Sequence, residues 1–171
     1  MRERIVRIGK KLPKLLLELG VVLLLVLALE AWLTRDAVSG KAPLFSAQTI
    51  AGEAFDLRSL QGTPALVHLW ATWCPVCELE QGSIDAVAGD HSFISVAMQS
   101  GSEQEILDYL REQGVDYPVV SDPEGRLSRR YGVSGVPASF ILDGEGEVRF
   151  VTRGYTSSWG LRIRLWLAGT I

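Results

Sequence analysis

The chain has 171 residues, of which 47% are apolar and 22% are charged, and its formal net charge is -3. This length fits one ordinary domain with a short extension, and the composition excludes a disordered, collagen-like or low-complexity chain. The slightly acidic balance also argues against a nucleic-acid-binding protein, which would usually carry a basic face.

The N-terminus combines a basic segment with a long apolar run. Residues 1–14 carry six basic residues and one acidic residue, and residues 15–33 then read LLLELGVVLLLVLALEAWL. A helix of this length would measure about 28 Å, close to the roughly 30 Å of a bilayer's hydrocarbon core. Because basic flanks stay cytoplasmic, the sequence predicts a cytoplasmic tail at 1–14, a transmembrane anchor at 15–33 and an exported remainder.

A cleaved signal peptide and a buried soluble helix are the alternatives for this apolar segment. A signal peptide also starts with basic residues, but its apolar core usually has about 7–15 residues and is followed by an A-x-A-like site. The run here is longer, and no clean site of that kind follows it. An uncleaved anchor is therefore the favoured prediction, and the polar residues 34–43 (TRDAVSGKAP) are predicted to form a linker.

Residues 44–171 alternate strand-like and helix-like segments. Buried or paired strands are predicted at 65–71, 92–98, 117–120, 137–142 and 147–153. Helices are predicted from 75 to about 88, from a capping box at 102–105 to Gly114, at 127–131, and from Ser157 or Ser158 onwards. This order predicts an α/β domain with a mixed sheet.

Two helical faces carry explicit predictions about packing. In the first helix of this domain, one side is predicted to face the core because apolar or small residues recur on it at Val76, Leu79, Ser83 and Val87. In the last helix, Trp159 and Trp166 are predicted to pack in the core or at an interface.

The chemistry of the chain is predicted at Trp73-Cys74-Pro75-Val76-Cys77, between a buried strand and a helix. Cys74 would lie at the helix N-terminus, where free N–H groups and the helix dipole favour a thiolate. Pro75 suits the first helical turn because that turn requires no N–H donor. Cys77 lies one turn later and is expected to be less exposed. The spacing lets the two sulfurs close a small ring, as thiol–disulfide exchange requires.

Other uses of the two cysteines are disfavoured for specific reasons. A zinc site needs about four ligands, and only His68 and His91 are available to join the cysteines. An inert structural disulfide would close too small a loop to constrain the unfolded chain much. A Cys–His hydrolase would leave the second cysteine unexplained.

The segment LVHLWATWCPVCELE (66–80) resembles the active-site segment of the thioredoxin superfamily. More narrowly, the chain is similar over residues 43–171 to the membrane-anchored bacterial TlpA/ResA/CcmG group, including its ScsD-type copper-tolerance members. GVDYPVVSDPEG (114–125) resembles the extra βα element of this group, and YGVSGVPASFILDGEGEV (131–148) resembles the segment that contains its cis-proline. That proline would be Pro137.

This resemblance implies a thioredoxin fold, with a central mixed β-sheet flanked by helices, and a protein thiol–disulfide oxidoreductase. Cys74 would be the nucleophile and Cys77 the resolving thiol. His68, at the position of a buried carboxylate in thioredoxin, and Glu80 are candidates for proton transfer. The alternatives are a hydrogen-bonded structural role for His68 and a solvated position for Glu80. Substrate would bind at the surface formed by Trp73, Pro75, Val76, Val136 and Pro137.

The resemblance also implies partners and a location. No metal or organic cofactor is implied, and electrons would come from a membrane donor protein of the DsbD, ScsB or CcdA type. The substrate would be a disulfide-bearing protein, such as apocytochrome c or a copper-stress partner, met on the periplasmic side of a bacterial inner membrane. The resemblance favours a reductant. The acidic Glu78 and Glu80 after the motif are consistent with this direction because they oppose extreme thiolate stabilisation, unless both point to solvent and have little effect. A disulfide-forming oxidant and a redox-dependent binding module or chaperone remain as alternatives.

Overall fold

The structure is a computed structural model that describes residues 17–22, 24, 25, 28 and 36–170. The described residues before 36 are helical. The remaining residues of the predicted cytoplasmic tail and transmembrane anchor lie outside the described residues. Within the described part of the chain, no helix combines the length and the apolar content that a membrane span needs.

Residues 36–170 lie in one compact unit whose centre is a β-sheet. Its strands are β1 (Gly40–Lys41), β2 (Ser46–Gln48), β3 (Ala54–Asp56), β4 (Ala65–Trp70), β5 (Ser92–Met98), β6 (Val119–Asp122), β7 (Ala138–Leu142) and β8 (Glu147–Arg153). Six of them form a mixed sheet in the order β1-β8-β7-β4-β5-β6. Strands β4, β5 and β6 run parallel, β7 and β8 continue the sheet in antiparallel pairs, and β2 pairs with β3 in a separate hairpin.

Four α-helices connect or follow these strands. They are α1 (Pro75–Ala88), α2 (Glu103–Gln113), α3 (Arg126–Arg130) and α4 (Ser158–Ala168). Helix α2 begins at the predicted capping box, in which Ser102 accepts the N–H of Glu105 and the Glu105 carboxylate accepts the N–H of Ser102. It ends at Gly114, whose φ of 66° suits a residue without a Cβ. From β4 onwards, the element order is the one that the sequence predicts.

The two faces of the sheet bury two separate cores. Because successive side chains of a strand point to opposite faces, the alternate residues of β4 divide between them. Leu66 and Trp70 pack with α1, α2 and α4, whereas Val67 and Leu69 pack with α3 and the β2–β3 hairpin. His68 therefore points towards the face that α1 covers, and this register brings it close to Glu80.

The folded unit begins earlier than the sequence predicts. Gly40–Lys41 lies inside the predicted linker of residues 34–43, yet it pairs with the start of β8 as an edge strand. Val38 also donates its N–H to the carbonyl of Tyr131 at 3.1 Å. The predicted boundary at residue 44 is therefore too late, because a two-residue exposed edge strand has no apolar pattern to reveal it.

The prediction for the core face of α1 is wrong in part. Val76 and Leu79 are exposed, and Val87 alone of the predicted set is buried. The buried side of α1 instead carries Cys77, Glu80, Gln81, Ile84 and Val87. The error arises because two polar residues of this helix are buried at the site, so that hydrophobicity no longer marks its inner side.

In α4, the prediction of a core position for the two tryptophans is also wrong. Trp159 and Trp166 are exposed, at 75% and 68% of their surface. Leu161, Leu165 and Ala168 form the buried side of this helix. Packing of the tryptophans at an interface stays a prediction.

Candidate active site

The Cys74–Cys77 motif lies where the chain leaves the carboxyl end of β4 and enters α1. Cys74 is the N-cap residue of α1, and its Sγ accepts the backbone N–H of Cys77 at 3.2 Å. Pro75 is the first residue of the helix, where a missing N–H costs no hydrogen bond. The strand-to-helix turn predicted for the motif is thus present, and it holds both sulfurs on the same helical turn.

The two thiols are unbridged and differ in their surroundings. Cys74 retains 5% of its surface, whereas Cys77 retains 1%. Burial raises the pKa of the Cys77 thiol far above its ordinary value, and the hydrogen bond with Cys74 and the nearby Glu80 carboxyl act in the same direction. Cys77 is therefore held as a thiol until a base removes its proton.

The Val136–Pro137 peptide bond is cis, as the sequence resemblance implies. The thiol of Cys74 donates to the carbonyl oxygen of Val136 at 3.4 Å. On the other side of the bond, the Pro137 carbonyl accepts the N–H of Gly154 at 2.9 Å. The fold thus brings the segment before β7 against Cys74, although 62 positions separate Cys74 and Val136.

Glu80 and His68 form a buried polar pair on the inner side of α1, each with about 1% of its surface exposed. The Nδ1 atom of His68 is hydrogen-bonded to the Ser139 hydroxyl at 2.9 Å, and Glu80 Oε2 accepts the backbone N–H of Thr156 at 3.3 Å. His68 Nδ1 and Glu80 Oε1 are 3.9 Å apart, which is too far for a hydrogen bond. Among the described residues, Glu80 Oε1 has no hydrogen-bond partner.

Burial shifts the pKa values of these two groups in opposite directions, because it disfavours the charged form of each. It lowers the pKa of His68 to about 3 and raises the pKa of Glu80 to about 8. At neutral pH, the contact between them therefore joins an uncharged imidazole to a largely protonated carboxyl, and it is not a salt bridge. Glu80 ionises in the physiological range, whereas His68 does not.

Exposed residues flank the buried Cys74 along the chain. Pro75 and Val76 are exposed at the start of α1, and Leu79 is exposed one turn further on. Trp73 is 56% exposed, and its indole N–H donates to the carbonyl of Gln99 at 3.0 Å. Together they form an exposed apolar rim beside the motif.

Three residues contact the predicted site residues but carry no signal in the sequence. Ser139 faces His68 only because β4 and β7 pair in this register. Thr156 contributes its backbone N–H and Gln99 contributes its backbone carbonyl. These groups do not depend on the type of side chain. A residue-type pattern could not have revealed them.

Comparison with known proteins agrees with this geometry. Residues 38–151 match the model of the AhpC/TSA family. The chain is 32% identical over 161 residues to a thioredoxin-like protein of Haemophilus influenzae, covering 93% of this chain and 96% of that relative. It is 32% identical over 160 residues to the thiol:disulfide interchange protein DsbE of Xylella fastidiosa, covering 85% and 81%.

A solved structure supports the same assignment. The thiol:disulfide interchange protein of the thioredoxin family from Chlorobium tepidum superposes with a TM-score of 0.66 at 30% identity, covering 78% of this chain and 98% of that one. The fold and the paired thiols therefore define a thioredoxin-like thiol–disulfide oxidoreductase. The chain belongs to the AhpC/TSA family, and its relatives within it are of the DsbE and ResA type. The resemblance to the TlpA/ResA/CcmG group is confirmed.

Proposed function

We propose that this protein is a membrane-anchored reductant of protein disulfides. The observation that carries the proposal is the unequal pair of thiols at the end of β4. Cys74 lies beside an exposed apolar rim, whereas Cys77 lies beneath it with the buried Glu80 carboxyl nearby. One thiol is thus placed to meet a substrate, and the other is placed to act after it.

The reaction follows from this arrangement in two exchanges. The Cys74 thiol loses its proton, and its sulfur attacks one sulfur of the substrate disulfide to form a mixed disulfide. The other substrate sulfur leaves as a thiolate and takes up a proton in place of the one that Cys74 lost. The fraction of Glu80 that is ionised at neutral pH, which its pKa of about 8 makes a minor one, accepts the Cys77 proton, and the Cys77 thiolate attacks the Cys74 sulfur. This closes the Cys74–Cys77 disulfide and releases the second substrate sulfur as a thiolate, which takes up a proton, so that two electrons and two protons in total pass to the substrate.

Proton transfer is assigned to Glu80 rather than to His68. A general base works best when its pKa lies near the operating pH, and the Glu80 pKa of about 8 meets this condition. The His68 pKa of about 3 leaves the imidazole too weak a base to hold a proton at neutral pH. His68 instead has a fixed hydrogen bond to Ser139 and fills the space beside the carboxyl.

The substrate-binding residues surround Cys74 on two sides. Trp73, Pro75 and Val76 offer the exposed apolar rim, and the Val136–Pro137 segment lies against the sulfur from the sheet. An extended substrate segment that pairs with the backbone of Val136 would bring its disulfide to Cys74. The thiol:disulfide interchange activity named for the DsbE relatives fits a protein substrate of this kind. Apocytochrome c and a copper-stress protein are the two candidates.

The direction of electron flow yields a test of the proposed function in cells. A reductant must be kept as a dithiol by a membrane electron donor of the DsbD, ScsB or CcdA type, against an oxidising compartment. We expect acid quenching, followed by alkylation with a mass tag, to find Cys74 and Cys77 mainly reduced. Deletion of the donor should shift them to the disulfide. A pair that is mainly oxidised in wild-type cells, and unaffected by the deletion, would identify an oxidant instead.

The location of the domain is proposed from the N-terminal sequence. Residues 1–14 form a cytoplasmic tail, 15–33 a single transmembrane anchor, and the rest lies in the periplasm of a bacterial inner membrane. The large apolar side chains among the described residues of this segment support the proposal, since they are 48–69% exposed: Leu17, Leu19, Val21, Val22, Leu24 and Leu25. Such side chains need an apolar surrounding.

Protease accessibility checks this topology. In spheroplasts, external protease is expected to digest the domain and to leave a short membrane fragment, because the basic flank keeps residues 1–14 inside. Lysed spheroplasts, in which both sides are open, provide the control. Protection of the whole domain in intact spheroplasts would contradict the proposed orientation.

A further inference from the structure

One residue next to the active site has an unusual backbone. Among the described residues other than glycine, Gln99 alone has a positive φ, at 49°. L-residues rarely adopt this left-handed region because their Cβ crowds the neighbouring backbone. Gln99 directly follows β5, and its side chain is exposed, so packing of that side chain in the core does not explain the conformation. Backbone outliers of this kind concentrate at functional sites.

Both backbone polar groups of Gln99 are used. Its N–H donates to the Asp122 carbonyl at 3.0 Å, which ties the turn to the end of β6. Its carbonyl accepts the indole N–H of Trp73 at 3.0 Å. Because an indole has a single hydrogen-bond donor, this contact uses the whole polar capacity of Trp73. The left-handed turn thus aims a carbonyl at the residue that precedes Cys74.

Ser100, the next residue in the same turn, is hydrogen-bonded to Thr72, which directly precedes Trp73. The Ser100 hydroxyl accepts the backbone N–H of Thr72 at 3.1 Å and donates to the Met98 carbonyl at 3.1 Å. Ser100 is buried, in contrast to Gln99. The two residues after β5 therefore bind the two residues that precede Cys74. Ser100 binds the backbone N–H of Thr72, and Gln99 binds the indole N–H of Trp73.

We propose that Gln99 is a positioning residue of this oxidoreductase: its left-handed backbone directs its carbonyl to the Trp73 indole and so holds the aromatic wall beside Cys74 in the orientation that a protein substrate meets. The inference rests on the proposed function in one respect, since it takes Trp73 to be part of the substrate-binding surface. Gln99 acts through Trp73 and does not touch the reacting sulfurs.

Three variants of the full-length chain in detergent separate the backbone effect from the side-chain effect. Gln99→Val disfavours the left-handed backbone because valine is β-branched, whereas Gln99→Gly permits it. Trp73→Phe keeps an aromatic ring but removes the indole donor. With dithiothreitol as reductant, we expect Gln99→Val and Trp73→Phe to raise the KM for oxidised insulin by about three-fold or more, with a smaller change in kcat. Gln99→Gly should retain the wild-type KM.

A double variant tests whether the two residues act through one contact. Gln99→Val combined with Trp73→Phe should have the KM of Trp73→Phe alone, because both changes remove the same hydrogen bond. Additive effects in the double variant, or a wild-type KM in a folded Gln99→Val protein, would overturn the proposal.

The indole proton gives a readout that does not depend on catalysis. In nitrogen-15 NMR spectra, the Trp73 indole signal is identified by its absence in Trp73→Phe. Its proton should exchange slowly with water in the wild type and in Gln99→Gly, and quickly in Gln99→Val. If Gln99→Val folds poorly, the wild-type protein alone tests the proposal. Exchange of its Trp73 indole proton as fast as that of free indole would overturn the proposal. If the wild type fails to reduce insulin, the proposed function fails while the indole measurement still judges the role of Gln99.

Discussion

Replacement of Glu80 by glutamine is expected to make the domain progressively more stable relative to wild type as the pH rises. The folded carboxyl has a pKa of about 8 because it is buried, whereas the unfolded one ionises near 4.5. Between these values the folded state binds a proton that the unfolded state has released, so the free energy of unfolding of the wild type falls as pH increases. Glutamine has the same shape and no proton to lose.

The expected effect is large because the shift in pKa is large. Between about pH 4 and pH 9, the difference in free energy of unfolding between Glu80→Gln and wild type should increase by about 4 kcal/mol. Denaturant titrations at a series of pH values measure this difference. Glu78→Gln removes an exposed glutamate from the same helix and is the matched control. A difference for Glu80→Gln that stays constant with pH would contradict a carboxyl that is kept protonated by burial.

The two cysteines should give opposite results when they are removed one at a time. Cys74→Ser is expected to abolish exchange, by about 1,000-fold or more, because the buried Cys77 cannot meet a substrate disulfide. Cys77→Ala retains the first attack but lacks the second, and should therefore accumulate a mixed disulfide with its substrate. Non-reducing electrophoresis of acid-quenched cells measures the adduct, and mass spectrometry identifies the partner.

The control for this pair is the double variant Cys74→Ser/Cys77→Ala, which should form no adduct. An adduct that depends on Cys77 would mean that the nucleophile is assigned to the wrong thiol. A Cys77→Ala protein without any adduct, together with partner binding that changes with the redox state of the wild type, would favour the redox-dependent binding module instead.

Features that depend on neighbouring residues were predictable from the sequence. The position of the dithiol at a strand-to-helix turn follows from an apolar run, a cysteine and a proline within a few residues. The start and end of α2 follow from its capping box and from Gly114. Each of these features depends on residues that lie within about one helical turn of each other. The types of those residues therefore suffice to predict it.

Features that depend on distant residues were not predictable in the same way. The exposure of Val76 and the burial of Glu80 reverse what hydrophobicity indicates, because α1 turns its polar residue towards His68 and Thr156 at the site. No local pattern contains this information, since Thr156 lies 76 positions from Glu80. The contact exists only when the loop after β8 meets α1.

The sequence by itself therefore determined the α/β class, the redox motif and the identity of its two thiols. Only the tertiary structure decided the protonation of Glu80 and His68 and which carbonyl accepts the indole N–H of Trp73. The physical reason is that burial changes the protonation of Glu80 and His68, and burial is a property of the assembled sheet and helices rather than of either residue. The carbonyl of Gln99 acquires its role in the same way, because the path of the chain after β5, and not its residue type, aims it at the indole.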